Sequence, residues 1–130
     1  MAPLSDLARN HIGNELLRGL DPPEFTIPLA LVLLATDPGT IGDLSGEPVG
    51  NNWARPLITF TAPSTPGVFD IAAAIETAEA TPAGWGSFAY FAIVDSLGVF
   101  VLGGPLSAPI SVPAGFTVKI QLGGGRVTFQ

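Results

Sequence analysis

The chain holds a single histidine, His11. A general base or a metal ligand works in company. The company near His11 is Asn10, Asn14 and Glu15. The nucleophile, base and orienting group of a hydrolase are not visible as a set. His11 therefore reads as a docking residue on a helix, and the chain as a protein without catalytic activity. Residues 36–52 carry Asp37, Asp43, Glu47, Asn51 and Asn52. Oxygen-rich loops can hold calcium, but this spacing matches no calcium motif. Asp37-Pro38-Gly39 is equally a plain turn, so neither metal nor cofactor is expected. Asp70, Glu76 and Glu79 supply carboxylates of the kind glycosidases use, yet nothing sets them across a cleft. Trp53, Trp85 and Tyr90 are the types that stack on sugars, although large aromatics more often anchor cores and interfaces. Arg55 suits a bidentate pair with a carboxylate, from its own long loop or from a neighbour. Gly123-Gly124-Gly125 is no phosphate loop, since neither a helix nor a lysine follows it.

The bulk composition points away from several partners. At 130 residues the chain fits one domain. It has no cysteine, which excludes disulfides and thiolate metal sites. The net charge of −6 disfavours nucleic acid and anionic membranes. Only 12% of residues are charged while 47% are hydrophobic, against about 25% charged in a typical domain. So little charge implies that part of the surface meets other protein. The N-terminal segment lacks the features of a signal peptide. The longest apolar run, Ile27–Ala35, is too short to span a membrane. A soluble product made in a cytoplasm is expected.

The elements that must position these residues are mostly strands. Thirteen prolines and sixteen glycines punctuate short apolar runs, the pattern of an all-β chain with many turns. The exception is 4–20, where Leu4, Leu7, Ala8, His11, Ile12, Leu16 and Leu20 fall near helical spacing. Ser5 suits the N-cap and Gly19 the stop. A lone helix this short is marginal in water and must dock. Residues 1–22 are read as this helical arm and 23–130 as a β-sandwich domain, with Asp21-Pro22-Pro23 as a stiff linker. Ile27–Ala35 is a central strand, Leu57–Ala62 a second. Ile71–Ile75 is assigned to a strand, against an alanine content that favours helix. Phe88–Val94 and Val99–Leu102 form a hairpin around Asp95-Ser96-Leu97-Gly98, a type I turn with a glycine bulge. One hairpin face carries Phe88, Tyr90, Ala92 and Val94, the other Ala89, Phe91 and Ile93. Neither is polar, so both need cover. Leu106–Val112 alternates as a further strand after the hairpin, and Pro109 marks it as an edge strand or a bulge. In Phe116–Leu122, Phe116, Val118, Ile120 and Leu122 point inward. Val127–Phe129 closes a count of seven or eight antiparallel strands, that of a jelly-roll-like sandwich.

The order of these pieces resembles a family of small tailed-bacteriophage virion proteins, decoration or tail-fibre-like. The resemblance is carried by Leu4–Leu20, Leu29–Pro38, Gly46–Gly50, Trp53-Ala54-Arg55 and Trp85-Gly86. It continues through Phe91-Ala92-Ile93-Val94-Asp95, Leu106-Ser107-Ala108-Pro109 and Pro113-Ala114-Gly115. It implies a structural role in the virion. With no heptads to build a shaft, the first expectation is a cement protein on the capsid exterior. It would bind the major capsid protein as a homotrimer and stabilise the lattice by mass action and avidity. The alternative is a tail-fibre or baseplate component that binds a host receptor or glycan. The expected partner contacts are Leu7, His11, Leu16, Asp43, Glu47, Asn52, Trp53 and Arg55. Trp85, Tyr90, Phe91 and Phe100 are expected in the core or a subunit interface. If one hairpin face is left for a neighbouring subunit, the hairpin becomes an assembly surface.

Overall fold

A computed structural model describes residues 4–19, 25–63, 65–121 and 126–128. The expected linker at 21–23, the turn at 123–125 and the residues Leu20, Leu122 and Phe129 lie outside them. The helix is α1 (Asp6–Arg18). Ser5 caps it by accepting a hydrogen bond from Ala8 N at 3.0 Å. Gly19 ends it at φ +64°, where its N–H reaches Asn14 O, because glycine enters the left-handed region without a steric penalty.

The strands are β1 (Leu29–Leu34), β2 (Leu57–Ile58), β3 (Val68–Asp70), β4 (Ile75–Glu76), β5 (Gly86–Val94), β6 (Phe100–Val112), β7 (Lys119–Ile120) and β8 (Arg126–Thr128). The protein is thus mostly β, antiparallel, with one N-terminal helix. A four-stranded sheet runs in the order β2-β1-β5-β6. Facing it are two short ladders, β3-β8 and β4-β7, in place of one continuous second sheet. Leu31, Ile58, Ile93 and Leu102 of the large sheet pack there against Ile71 and Ile75. This layer encloses a largely apolar cavity of about 370 Å³.

Several local expectations change. Leu106–Val112 is no separate strand but the second half of β6. The register skips between Phe88↔Ile110 and Tyr90↔Pro105, so Leu106-Ser107-Ala108-Pro109 bulges out of the ladder. Prolines 105 and 109 fit because β6 lies at the sheet edge, where a missing N–H costs no ladder bond. The irregularity also breaks the parity of β5. Phe88 packs with Leu33, Trp85 and Val112, while Ala92 and Val94 pack with Val32 and Leu34 on the opposite face. The stretch 71–75 is neither helix nor one strand. Ile71 bridges Phe60, and pairing resumes at Ile75. Leu57–Ala62 shrinks to two paired residues plus that bridge. Phe116 is 60% exposed rather than inward, and the inward alternation starts at Val118. Val118 is held to Thr77, whose N–H donates to Val118 O at 2.9 Å and whose hydroxyl accepts from Val118 N at 2.9 Å. Phe116 closes the turn at 113–115 by donating its N–H to Pro113 O, and its carbonyl accepts from Ala80 N at 2.9 Å.

The largest difference concerns the second face of the hairpin. Ala30, Val32, Leu34, Ala92, Val94 and Phe100 form a core of their own, and Leu44 packs onto it. The cover is the long loop, not α1 and not a neighbouring subunit. Gly42 and Gly46 let it lie close. A Cβ on Gly42 (φ +82°) would fall 2.6 Å from Phe100 Cβ, and one on Gly46 2.6 Å from Thr36 Oγ1. The hairpin is therefore internal to the fold on this face.

Candidate functional site

Two regions gather the residues that the sequence singles out. The first is the end of the long loop. Glu47 accepts from Arg55 Nε and Nη2, each at 2.8 Å, a bidentate pair. Its Oε2 also accepts from Trp53 Nε1 at 2.9 Å. Burial pushes the Glu47 carboxyl up, but the hydrogen bonds from Arg55 and Trp53 outweigh it and hold the group below its ordinary value. Arg55 is held above its own, by the bond to Glu47 first. Trp53 meets Trp85 edge to face, ring centroids 5.0 Å apart. Trp85 is buried and donates its indole N–H to Asn51 O at 2.8 Å.

Backbone strain accompanies this network. Gly50, Asn51 and Asn52 follow one another at φ +71°, +51° and +70°. A non-glycine residue there costs roughly 1 kcal/mol or more. The run is held by bonds into the neighbouring segment. Asn51 O also accepts from Thr81 N at 3.1 Å, and Asn52 Nδ2 donates to Glu79 O at 2.9 Å. Asp43 lies outside the cluster, exposed, accepting from Ser45 N in a local turn that lowers its pKa. Asp37 Oδ1 accepts from Gly39 N at 2.9 Å. Among the described residues no group of three or more His, Asp or Glu could hold a metal. The arrangement is a clamp: a charged pair and two indoles fix the loop against the strand that follows it.

The second region is α1. Its first turn docks through backbone bonds from Ser5 N to Val101 O at 2.8 Å and Asp6 N to Thr40 O at 3.1 Å. Ala8 is its one buried residue, His11 and Ile12 still face the body, and residues 15–18 are exposed. Leu7 is 55% exposed and Leu16 76%. His11 meets Phe25 at a tilt of 45°, ring centroids 5.7 Å apart, and its Nε2 lies 3.7 Å from Glu15 Oε2. Beside the helix an apolar groove of about 270 Å³ is lined by Ala8, Ile12, Phe25, Leu29, Phe60 and Val101, among others.

The structure brings Glu47, Asn52, Trp53, Arg55 and Trp85 together, and Leu7, His11 and Leu16 on α1. It keeps the two groups apart from Tyr90, Phe91 and Phe100. Phe100 and Tyr90 pack under the loop, while Phe91 lines the cavity on the other face. Sequence reasoning counted Asn51 only among the oxygens of the loop and missed its carbonyl, which organises the clamp. Gly50-Asn51-Asn52, three residues tolerant of positive φ in a row, was the available signal. It also missed the reach of Asp95. Beyond starting its turn, the buried Asp95 carboxylate accepts from Leu97, Val99 and the distant Thr26 N–H. Burial raises its pKa, and these backbone bonds outweigh that and lower it.

Residues 3–128 match the model of the family described as Podophage GP4 fiber I protein gp80. No curated protein matches the chain. The match spans nearly the whole sequence, so the chain belongs to this family, and its role is structural, in the phage virion.

Proposed function

We propose that this member of the fibre I family serves in the tail fibre, as a rigid non-catalytic module that is built into the appendage by its N-terminal helix. The observation that carries this reading is the family match over residues 3–128, whose description names a fibre. It favours the tail over the capsid exterior, the first expectation from sequence. The shape of the two regions supports it. The clamp satisfies its own polar groups and stiffens the body. The exposed leucines of α1 are the chemistry of a permanent protein contact, since obligate interfaces resemble a core cut in half. The lone histidine lies against Phe25 and Glu15.

Localisation on the particle tests this reading. Antibody labelling of intact virions, or cryo-electron microscopy of them, should place the protein on the tail appendages. Density confined to the head shell would overturn the fibre assignment and restore a cement protein bound to the major capsid protein.

A further inference from the structure

The two layers of the fold leave a cavity of about 370 Å³ between them. Protein interiors keep few voids larger than a water molecule, and ligand pockets begin at about 300 Å³. Both layers contribute to the hollow. The second layer is two separate ladders. Residues 72–74 are exposed, so only Ile71 and Ile75 reach inward from that stretch. In the large sheet, the bulge at 106–109 takes β6 out of its ladder with β5. Ser107 is exposed there and Leu106 half-buried, so the cavity opens at this edge.

The lining defines what fits. The floor crosses the whole sheet, from Ile58 on β2 through Leu31 on β1 and Ile93 on β5 to Leu106 on β6. Three strand spacings make about 14 Å. Along the strands the cavity takes two residues of one face, such as Leu31 and Leu33, about 7 Å. The hollow is therefore long and narrow, roofed by Ile71, Ile75 and Ile120. Ser107 is the one lining residue with a polar side chain among those described. A water molecule needs two or more polar partners, so the interior suits hydrocarbon. Among the described residues no charged side chain lines it. A charged head group would lose water without meeting a counter-charge, whereas the Ser107 hydroxyl can donate to or accept from another hydroxyl.

We propose that this cavity binds a single straight alkyl chain of about ten carbons with an uncharged polar end, the chain lying across the sheet and its end at Ser107. The lining includes no residue of α1 and none of Glu47, Trp53 and Arg55, so the proposal does not rest on the fibre reading. Titration of the full chain with the straight-chain alcohols from hexanol to dodecanol tests it. Calorimetry reads binding directly, and melting temperature should rise because the ligand binds the native state. Affinity should increase about fourfold per methylene and level off near decanol. Decanoate at neutral pH should bind about tenfold or more weakly than decanol. Leu31→Phe in the floor and Ile120→Phe in the roof should each weaken decanol binding about tenfold or more while melting temperature holds or rises, since the added carbon fills the hollow. The chain-length limit is read on the unaltered protein and depends on neither variant. No saturable binding of any alcohol, affinity that keeps climbing through dodecanol, decanoate as tight as decanol, or decanol binding unchanged in both folded variants would each overturn the proposal.

Discussion

The long loop and the N-terminal helix were both candidates for partner contact, and they use their side chains in opposite ways. The end of the loop turns Glu47 inward onto the Trp53 and Arg55 that follow it. Glu47, Arg55 and Trp53 satisfy one another, and Leu44 seals a sheet face that would otherwise be wet. The helix docks by its first turn and leaves Leu7, Ile12, Leu16 and Leu17 exposed. The lesson is about where free energy remains available. A polar group already bonded within the chain offers a partner little, whereas an exposed leucine offers its whole transfer free energy. Substitutions in the loop should therefore damage the fold, and substitutions in the helix should damage association.

The largest effect is expected at Trp85. Trp85→Ala empties a site packed by Leu33, Ala80 and Phe88 and removes the indole donor to the carbonyl of Asn51, leaving it only the bond from Thr81 N. It should lower stability by about 3–5 kcal/mol, read from urea unfolding. Gly42→Ala comes next. Its Cβ would overlap Phe100, at a φ that disfavours any side chain, for a loss of about 2 kcal/mol or more. Glu47→Gln should cost about 1–3 kcal/mol by leaving Arg55 and Trp53 poorly matched. A double-mutant cycle with Arg55 isolates the pair.

The same pair, with Asp95, sets an acid dependence. Glu47 and Asp95 both titrate below their ordinary values of 4.5 and 3.8 in the folded chain. The unfolded chain therefore binds their protons more readily. Their stabilisation is complete above those ordinary values and is lost as pH falls through the lower folded ones. Melting temperature should drop below about pH 4.5, and Glu47→Gln should flatten the upper part of that drop. The smallest effect on the fold belongs to the helix. Leu16→Ser/Leu17→Ser should change stability by less than about 0.5 kcal/mol while removing association. A large loss of stability there would break the contrast between the two regions.

Much of the fold was legible because its signals are local. The caps Ser5 and Gly19 and the Asp95–Gly98 turn follow from short-range backbone chemistry. The apolar runs that became β1 and β5 announce burial on both faces. What covers those faces was not legible, because a polar, glycine-rich loop carries no periodicity. Its close approach depends on Gly42 and Gly46 meeting Phe100 and Thr36, contacts that sequence order does not reveal. Phe116 and Phe88 were misplaced for a related reason. Alternation assumes an unbroken strand, and one strand starts late while the other meets a bulge. In the candidate site, Arg55 could have paired with its own loop or with a neighbour. Residue types alone do not separate these, since the same bidentate geometry serves either.

Complementation of a phage lacking this protein tests the division of labour most directly. Particles would be produced with either the Leu16→Ser/Leu17→Ser or the Glu47→Gln chain, and the amount incorporated per virion measured. The account predicts that the helix variant folds but is missing from the particles, while the Glu47 variant is incorporated in proportion to its folded fraction. Full incorporation of the helix variant, with exclusion of a well-folded Glu47 variant, would contradict it.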